Sequence, residues 1–206
     1  MGGGGVGRVT AEAMWDELQR RWYPGDPFTP DVLAKEYYVQ KYQVAAQLQP
    51  ASVCEIGVRA GYAAFAFLSA VPEAEYLGID SGTADREARV DYTRHARGVL
   101  MGFGRTHLMA ADSQRLTRLP FTSTGARFEF VHVDGGHTTE ACLHDLRLAQ
   151  QSGARWILVD DFDVPADDAG AGMIRAACRV FLLDHEGWTA EYLANPLVGS
   201  LLLRRT

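Results

Sequence analysis

The chain has 206 residues, 47% apolar and 22% charged, with a formal net charge of -6. That length implies a single domain able to bury a sizeable core. The acidic balance argues against nucleic acid as a partner, since that needs a basic patch. The three cysteines, Cys54, Cys142 and Cys178, are odd in number and lack C-x-x-C spacing. They read as buried thiols of a reducing, cytoplasmic compartment.

Residues 1–8, Met-Gly-Gly-Gly-Gly-Val-Gly-Arg, have no apolar signal core and read as a disordered leader. No run reaches the length of a membrane span. One domain is expected over 9–206, with a helical cap over 9–50 and a core over 51–206. Val9 to Trp22 has helical periodicity, with Met14, Leu18 and Trp22 on one face and Trp15 beside it. Tyr23 to Pro30 holds three prolines and a glycine and reads as a loop. A second helix is expected from Pro30 to Leu48, and Pro50 marks the entry to the first strand. The aromatics of this region, among them Trp22, Tyr23, Phe28, Tyr37, Tyr38 and Tyr42, either pack helices on a sheet or close over a ligand.

From Ala51 the pattern changes. A short apolar run ends in Glu55, Gly57 and Gly61 follow, and Tyr62 opens an Ala-rich apolar segment. This predicts a buried strand, a tight turn and a helix packed back on the sheet. Such a turn serves equally well with or without a ligand. Asp80, which closes the apolar stretch Tyr76-Leu-Gly-Ile-Asp, tips the reading. An acid at the end of the second strand of a βαβ unit is placed to accept hydrogen bonds from ribose hydroxyls. Ser81 follows it.

A polar helix is expected from Ala84 to Leu100, then a third strand from His107 to Ala111 ending in Asp112-Ser113-Gln114. Gln114 to Thr124 reads as helix or turn, Phe128 to Asp134 as the fourth strand, and Thr138 to Ser152 as an amphipathic helix. Trp156 to Asp160 is the fifth strand, Ala169 to Leu183 a helix, and Trp188 to Leu193 and Leu197 to Leu203 two last strands turning at Asn195-Pro196. Strands alternating with helices predict a Rossmann-like, doubly wound sheet of seven strands under a helical lid. The final pair, joined by a few residues, must be antiparallel neighbours.

Ligands bind beyond the carboxyl ends of the strands in such a sheet. Five strands in succession end in an acid: Glu55, Asp80, Asp112, Asp134 and the pair Asp160-Asp161. A single such acid often only caps the next helix. Asp134, Asp160 and Asp161 lie on adjacent strands and are expected to converge. Three clustered carboxylates repel one another unless protonated or bound to a cation, and an all-oxygen set suits Mg²⁺. His137 follows Asp134 past Gly135-Gly136 and is expected near that cluster as a proton acceptor. His132 is expected to point away from it and pack.

On these residues the chain resembles a class I S-adenosylmethionine-dependent methyltransferase, and within that fold the small metal-dependent O-methyltransferases of the catechol type. The resemblance spans Val53 to Asp161. Glu55-x-Gly57-x-x-x-Gly61-Tyr62 matches the first cofactor motif, Asp80 the ribose-binding acid, and Ala111-Asp112-Ser113-Gln114 the turn that contacts adenine. It implies cofactor contacts from these residues, from Ser81 and from Asp134. It implies metal ligation by Asp134, Asp160 and Asp161. His137 stands where the catechol enzymes keep a catalytic Lys, and bacterial sugar O-methyltransferases of natural-product pathways are similar in using His at that spacing. Arg59 occupies a position usually small or aromatic, and Ala63 replaces a common Ser. The implied reaction is methylation of a hydroxyl on a small molecule, with His137 as general base and a homodimer as the assembly. The rival expectations are a metal-independent N- or C-methyltransferase and a non-catalytic nucleoside-binding protein.

Overall fold

The computed structural model describes residues 9–82, 92–163 and 172–206. The predicted leader, and the predicted helical residues 84–91 and 169–171, lie outside them. The elements run α1 (Ala11–Arg20), α2 (Val32–Leu48), β1 (Ser52–Ile56), α3 (Tyr62–Ala70), β2 (Glu75–Asp80), α4 (Tyr92–Val99) and β3 (Thr106–Ala110). There follow β4 (Phe130–Val133), α5 (Thr139–Gln151), β5 (Trp156–Val159), α6 (Met173–Asp184), β6 (Trp188–Leu193) and β7 (Ser200–Arg205). Of the segment expected as helix or turn from Gln114, only a 3₁₀ turn at Ser113–Arg115 is regular.

The helix starts follow from short polar caps. Thr10, Asp31 and Thr138 each accept a hydrogen bond from the backbone N–H three residues on, which satisfies one of the free donors of the first turn. The strands form one sheet in the order β3-β2-β1-β4-β5-β7-β6. β1 to β5 are parallel, and β7 is antiparallel to both its neighbours. The order reverses at β1, so β2 and β3 lie on one side of it and β4, β5 and β7 on the other. That places a crevice above the end of β1.

Side chains alternate across the sheet and supply two cores. Val53, Tyr76, Phe130, Leu158 and Leu202 face α1 to α4. Cys54, Leu77, Ile79, Val131, Ile157 and Leu203 face α5 and α6. α3 is buried along its whole length, which is why its sequence carries no polar face. Phe67, Phe130 and Phe181 are fully buried, and burial of each such side chain contributes about 1.5–3 kcal/mol. The three cysteines are buried free thiols. Among the described residues no helix is long and apolar enough to cross a membrane.

Candidate active site

The chain leaves β1 through Gly57, whose φ of +89° suits glycine, and a Cβ there would stand 1.9 Å from the Asp134 carbonyl oxygen. Only glycine fits where the ends of β1 and β4 come this close. Asp80, at the end of β2, shapes the same loop. Its Oδ2 accepts from the N–H groups of Val58 and Arg59, each at 2.9 Å, and its Oδ1 from Gly82 at 2.7 Å. Gly61 caps α3 in the left-handed region with no side-chain bond. Asp112 caps the 3₁₀ turn by accepting from the Gln114 N–H.

These turns border a cavity of about 710 Å³ above the switch point. Gly57, Asp80, Ser81, Asp112, Ser113 and Asp134 line it, as do His137 and Asp161. Trp22, Phe28, Tyr37 and Tyr38 of the N-terminal segment, with Leu197 and Val198, form an aromatic and aliphatic wall. Two expected cofactor residues lie elsewhere. Tyr62 is buried, stacked on Trp22 at 4.1 Å, with its hydroxyl on Asp26 and the Tyr23 N–H. Glu55 is buried on the α2–α3 face of the sheet, bonded by the Tyr76 hydroxyl and by His132.

The acids expected to converge divide into two groups. Asp134, His137 and Asp161 bring ligand atoms within 4.8 Å of one another beside the cavity. His137 Nε2 is 3.0 Å from Asp161 Oδ2. Asp161 reaches the cavity because its φ of +56° turns the chain after β5, a conformation Asp tolerates better than most residues. Burial and the neighbouring Asp160 and Asp161 carboxylates hold Asp134 well above the usual carboxylate range. Burial and Asp160 also raise Asp161, against the opposing pull of His137. A divalent cation would relieve this excess of negative charge.

Asp160, expected as a third metal ligand, keeps an oxygen within 4.8 Å of Asp134 but does not line the cavity. It shares its facing with Leu158 and is buried under α2. Lys41 forms an ion pair with Oδ1 and the Tyr37 hydroxyl donates to Oδ2. Ser200 Oγ donates to Oδ1 at 2.7 Å and His132 Nε2 approaches Oδ2 at 3.0 Å. Burial opposes the charge, but Lys41 and His132 prevail and hold the carboxyl well below its ordinary value. His132, Asp134 and Asp160 also gather within ligand distance, but the Lys41 ammonium already supplies the cation there.

His132 therefore corrects the expectation of plain packing. Residues 132 and 134 share a facing on the strand, and the ring bridges Glu55, at 2.9 Å from Nδ1, and Asp160. Burial works against its charge, yet the two carboxylates push its pKa up to about 9. Two acids, Glu55 and Asp160, thus face two bases, Lys41 and His132, in a buried row beneath the cavity floor. The sequence signal for Lys41 was its place on the apolar face of α2, in step with Ala34, Tyr37, Ala45 and Leu48.

The family described as "Methyltransferase domain" matches residues 54–162, more than half of the chain. No curated protein sequence gives a significant match. Several solved structures share the fold. The O-methyltransferase TomG of Streptomyces achromogenes, involved in tomaymycin synthesis and solved with S-adenosylmethionine, is 18% identical over 98% of this chain and 92% of its own, with a TM-score of 0.62. The Bacillus cereus O-methyltransferase bound to S-adenosylhomocysteine is 12% identical, with coverages of 96% and 92% and a TM-score of 0.66. The S-adenosylhomocysteine-bound methyltransferase of Podospora anserina is 15% identical, with coverages of 95% and 87% and a TM-score of 0.65.

Proposed function

Since the chain belongs to the methyltransferase domain family and is a class I S-adenosylmethionine-dependent methyltransferase, we propose that it methylates a hydroxyl group on a small, largely apolar acceptor. The observation that carries this reading is the meeting of Asp134, His137 and Asp161 at the cavity, opposite an aromatic wall. The cavity, at about 710 Å³, is large enough for the cofactor together with a compact acceptor. Gly57, Asp80, Ser81 and Ser113 would hold the cofactor's nucleoside. Bound there, it supplies an electrophilic methyl group on a sulfonium.

The acceptor's hydroxyl must lose its proton to become a strong nucleophile. His137 Nε2 lies 3.0 Å from Asp161 Oδ2, an ion-pair distance at which the carboxylate favours the imidazolium formed when the ring takes the hydroxyl proton. A carboxylate that steadies the imidazolium of a general base is part of the division of labour seen in hydrolytic triads. Trp22, Phe28, Tyr37 and Tyr38 give an apolar acceptor a surface to lie on and keep water from the reacting oxygen.

Asp134 and Asp161 would hold a divalent cation, Mg²⁺ or a similar hard ion, while Asp160 is engaged by Lys41 and Ser200. Such an ion lowers the pKa of a hydroxyl bound to it. The 3.0 Å His137–Asp161 pair favours a second reading in which those two residues work without a cation. Calorimetric titration with Mn²⁺ separates the two. One site in the wild type, lost in Asp134→Asn and Asp161→Asn with unchanged circular dichroism, is the expected result. No binding, together with full turnover in excess EDTA, assigns the chemistry to the His–Asp pair alone.

A further inference from the structure

The Ser113–Gln114 turn and the Gly135–Gly136 loop both border the cavity, and α5 reaches toward both from below. His144 Nε2 lies 3.0 Å from the Ser113 carbonyl oxygen. The next residue, Asp145, accepts a hydrogen bond at Oδ1 from Gln114 Nε2, 3.1 Å away. Asp145 has no exposed surface, and besides Gln114 the Ser113 hydroxyl and the Gly136 N–H approach its carboxylate. Its Oδ2 would stand 3.2 Å from a Cβ on Gly135, so only a glycine backbone passes this close without displacing it. Burial pushes its pKa up to about 6, against the opposing pull of Ser113, His144, Gln114 and Gly136. Nothing in the chemistry proposed above uses it.

Its use lies in what it does to Gln114. A side-chain amide has two unlike ends, an NH₂ that only donates and an oxygen that only accepts. Gln114 Nε2 faces Asp145 Oδ1, the Ala141 carbonyl oxygen at 3.4 Å and Ser113 Oγ at 3.2 Å. The first two are pure acceptors, and the carboxylate is the only charged one, so it makes the strongest bond. The nitrogen must face them, and Oε1 is turned away. Among the described residues no hydrogen bond ends on Oε1, and Gln114 itself is exposed and lines the cavity.

We propose that Asp145 is a positioning residue that locks the Gln114 amide with its oxygen toward the cavity, making that end selective for a nucleobase with an exocyclic amino group over one with an oxo group there. The inference rests on the cavity being the cofactor site. An adenine 6-amino group donates to Oε1. The 6-oxo group of hypoxanthine would set acceptor against acceptor. Without Asp145 the amide is free to turn by half a revolution, and either base finds a partner.

The test is calorimetric titration of S-adenosylhomocysteine and S-inosylhomocysteine into the wild type and Asp145→Leu, which keeps the volume and removes the acceptor. The wild type should prefer the adenosyl compound by about tenfold or more, and the variant by less than about threefold. A merely structural role would weaken both ligands together and leave their ratio unchanged. Wild-type discrimination with the same ratio in the Leu variant overturns the role of Asp145. Failure of the wild type to bind either compound overturns the cofactor reading, and this inference with it. Should the Leu variant not fold, proton exchange at the Gln114 side-chain amide of the wild type decides. Slowed exchange relative to other glutamines is expected, and exchange as fast as a free amide overturns the proposal.

Discussion

Lys41 has no exposed surface, and its ammonium serves Asp160 and Ser200. Two acids and two bases sit in this row, with the Tyr37 and Tyr76 hydroxyls donating to the acids, and that balance is what makes their burial tolerable. Removing one partner leaves an uncompensated charge. Lys41→Met should therefore cost about 3–5 kcal/mol in urea denaturation, whereas a substitution at exposed Arg20 should cost next to nothing. A loss below about 1 kcal/mol for Lys41→Met would mean that the row is not charged as described. Sequence alone showed that acids end the strands, and Asp80, Asp134 and His137, singled out there, do line one cavity. It could not say which member of the Asp160-Asp161 pair faces the cavity, because that turns on one backbone angle, the positive φ of Asp161. Nor could it show that Glu55 and His132 are each other's partners, since they meet only through the β1–β4 register.

At the scale of elements, the segment between α1 and α2 is a strap over the loop from β1 to α3. Asp26 accepts from Arg59 Nη2 at 2.7 Å and from the Tyr62 hydroxyl at 3.2 Å. The Arg59 guanidinium lies between the rings of Phe28 and Tyr92, 4.7 Å from each. Trp22 Nε1 donates to the Phe28 carbonyl, so the strap is tied to itself as well. This explains Arg59 at a position usually small or aromatic: it is the seat of the strap. Asp26→Ala should speed proteolysis within residues 23–31 several-fold while the urea midpoint moves little, because the core clusters do not depend on the strap. Unchanged cleavage would contradict this account. The loop was legible from its prolines and glycine, but its docking was not, because Asp26 and Arg59 are 33 residues apart and carry no local signature.

At the scale of the molecule, the sheet order does the arranging. β2 and β3 bring Asp80, Ser113 and Gln114 to one side of the switch point, and β4, β5 and the β6–β7 turn bring Asp134, His137, Asp161 and Leu197 to the other. A nucleoside on the first side and an acceptor on the second, as proposed, would meet above the end of β1. The alternation of helices and strands was enough to foresee this layout, because parallel neighbours and right-handed crossovers leave few alternatives. The apolar wall came from long-range packing of α2 and the β6–β7 turn and had no single motif.

The central claim is that His137 removes the acceptor's proton, and the most direct test is release of S-adenosylhomocysteine from S-adenosylmethionine with an ortho-dihydroxy aromatic acceptor. His137→Ala should lower single-turnover methyl transfer by about 10²–10⁴ and leave S-adenosylhomocysteine affinity unchanged. A His137→Ala enzyme within about threefold of the wild type would contradict the claim and leave deprotonation to some other group at the cavity.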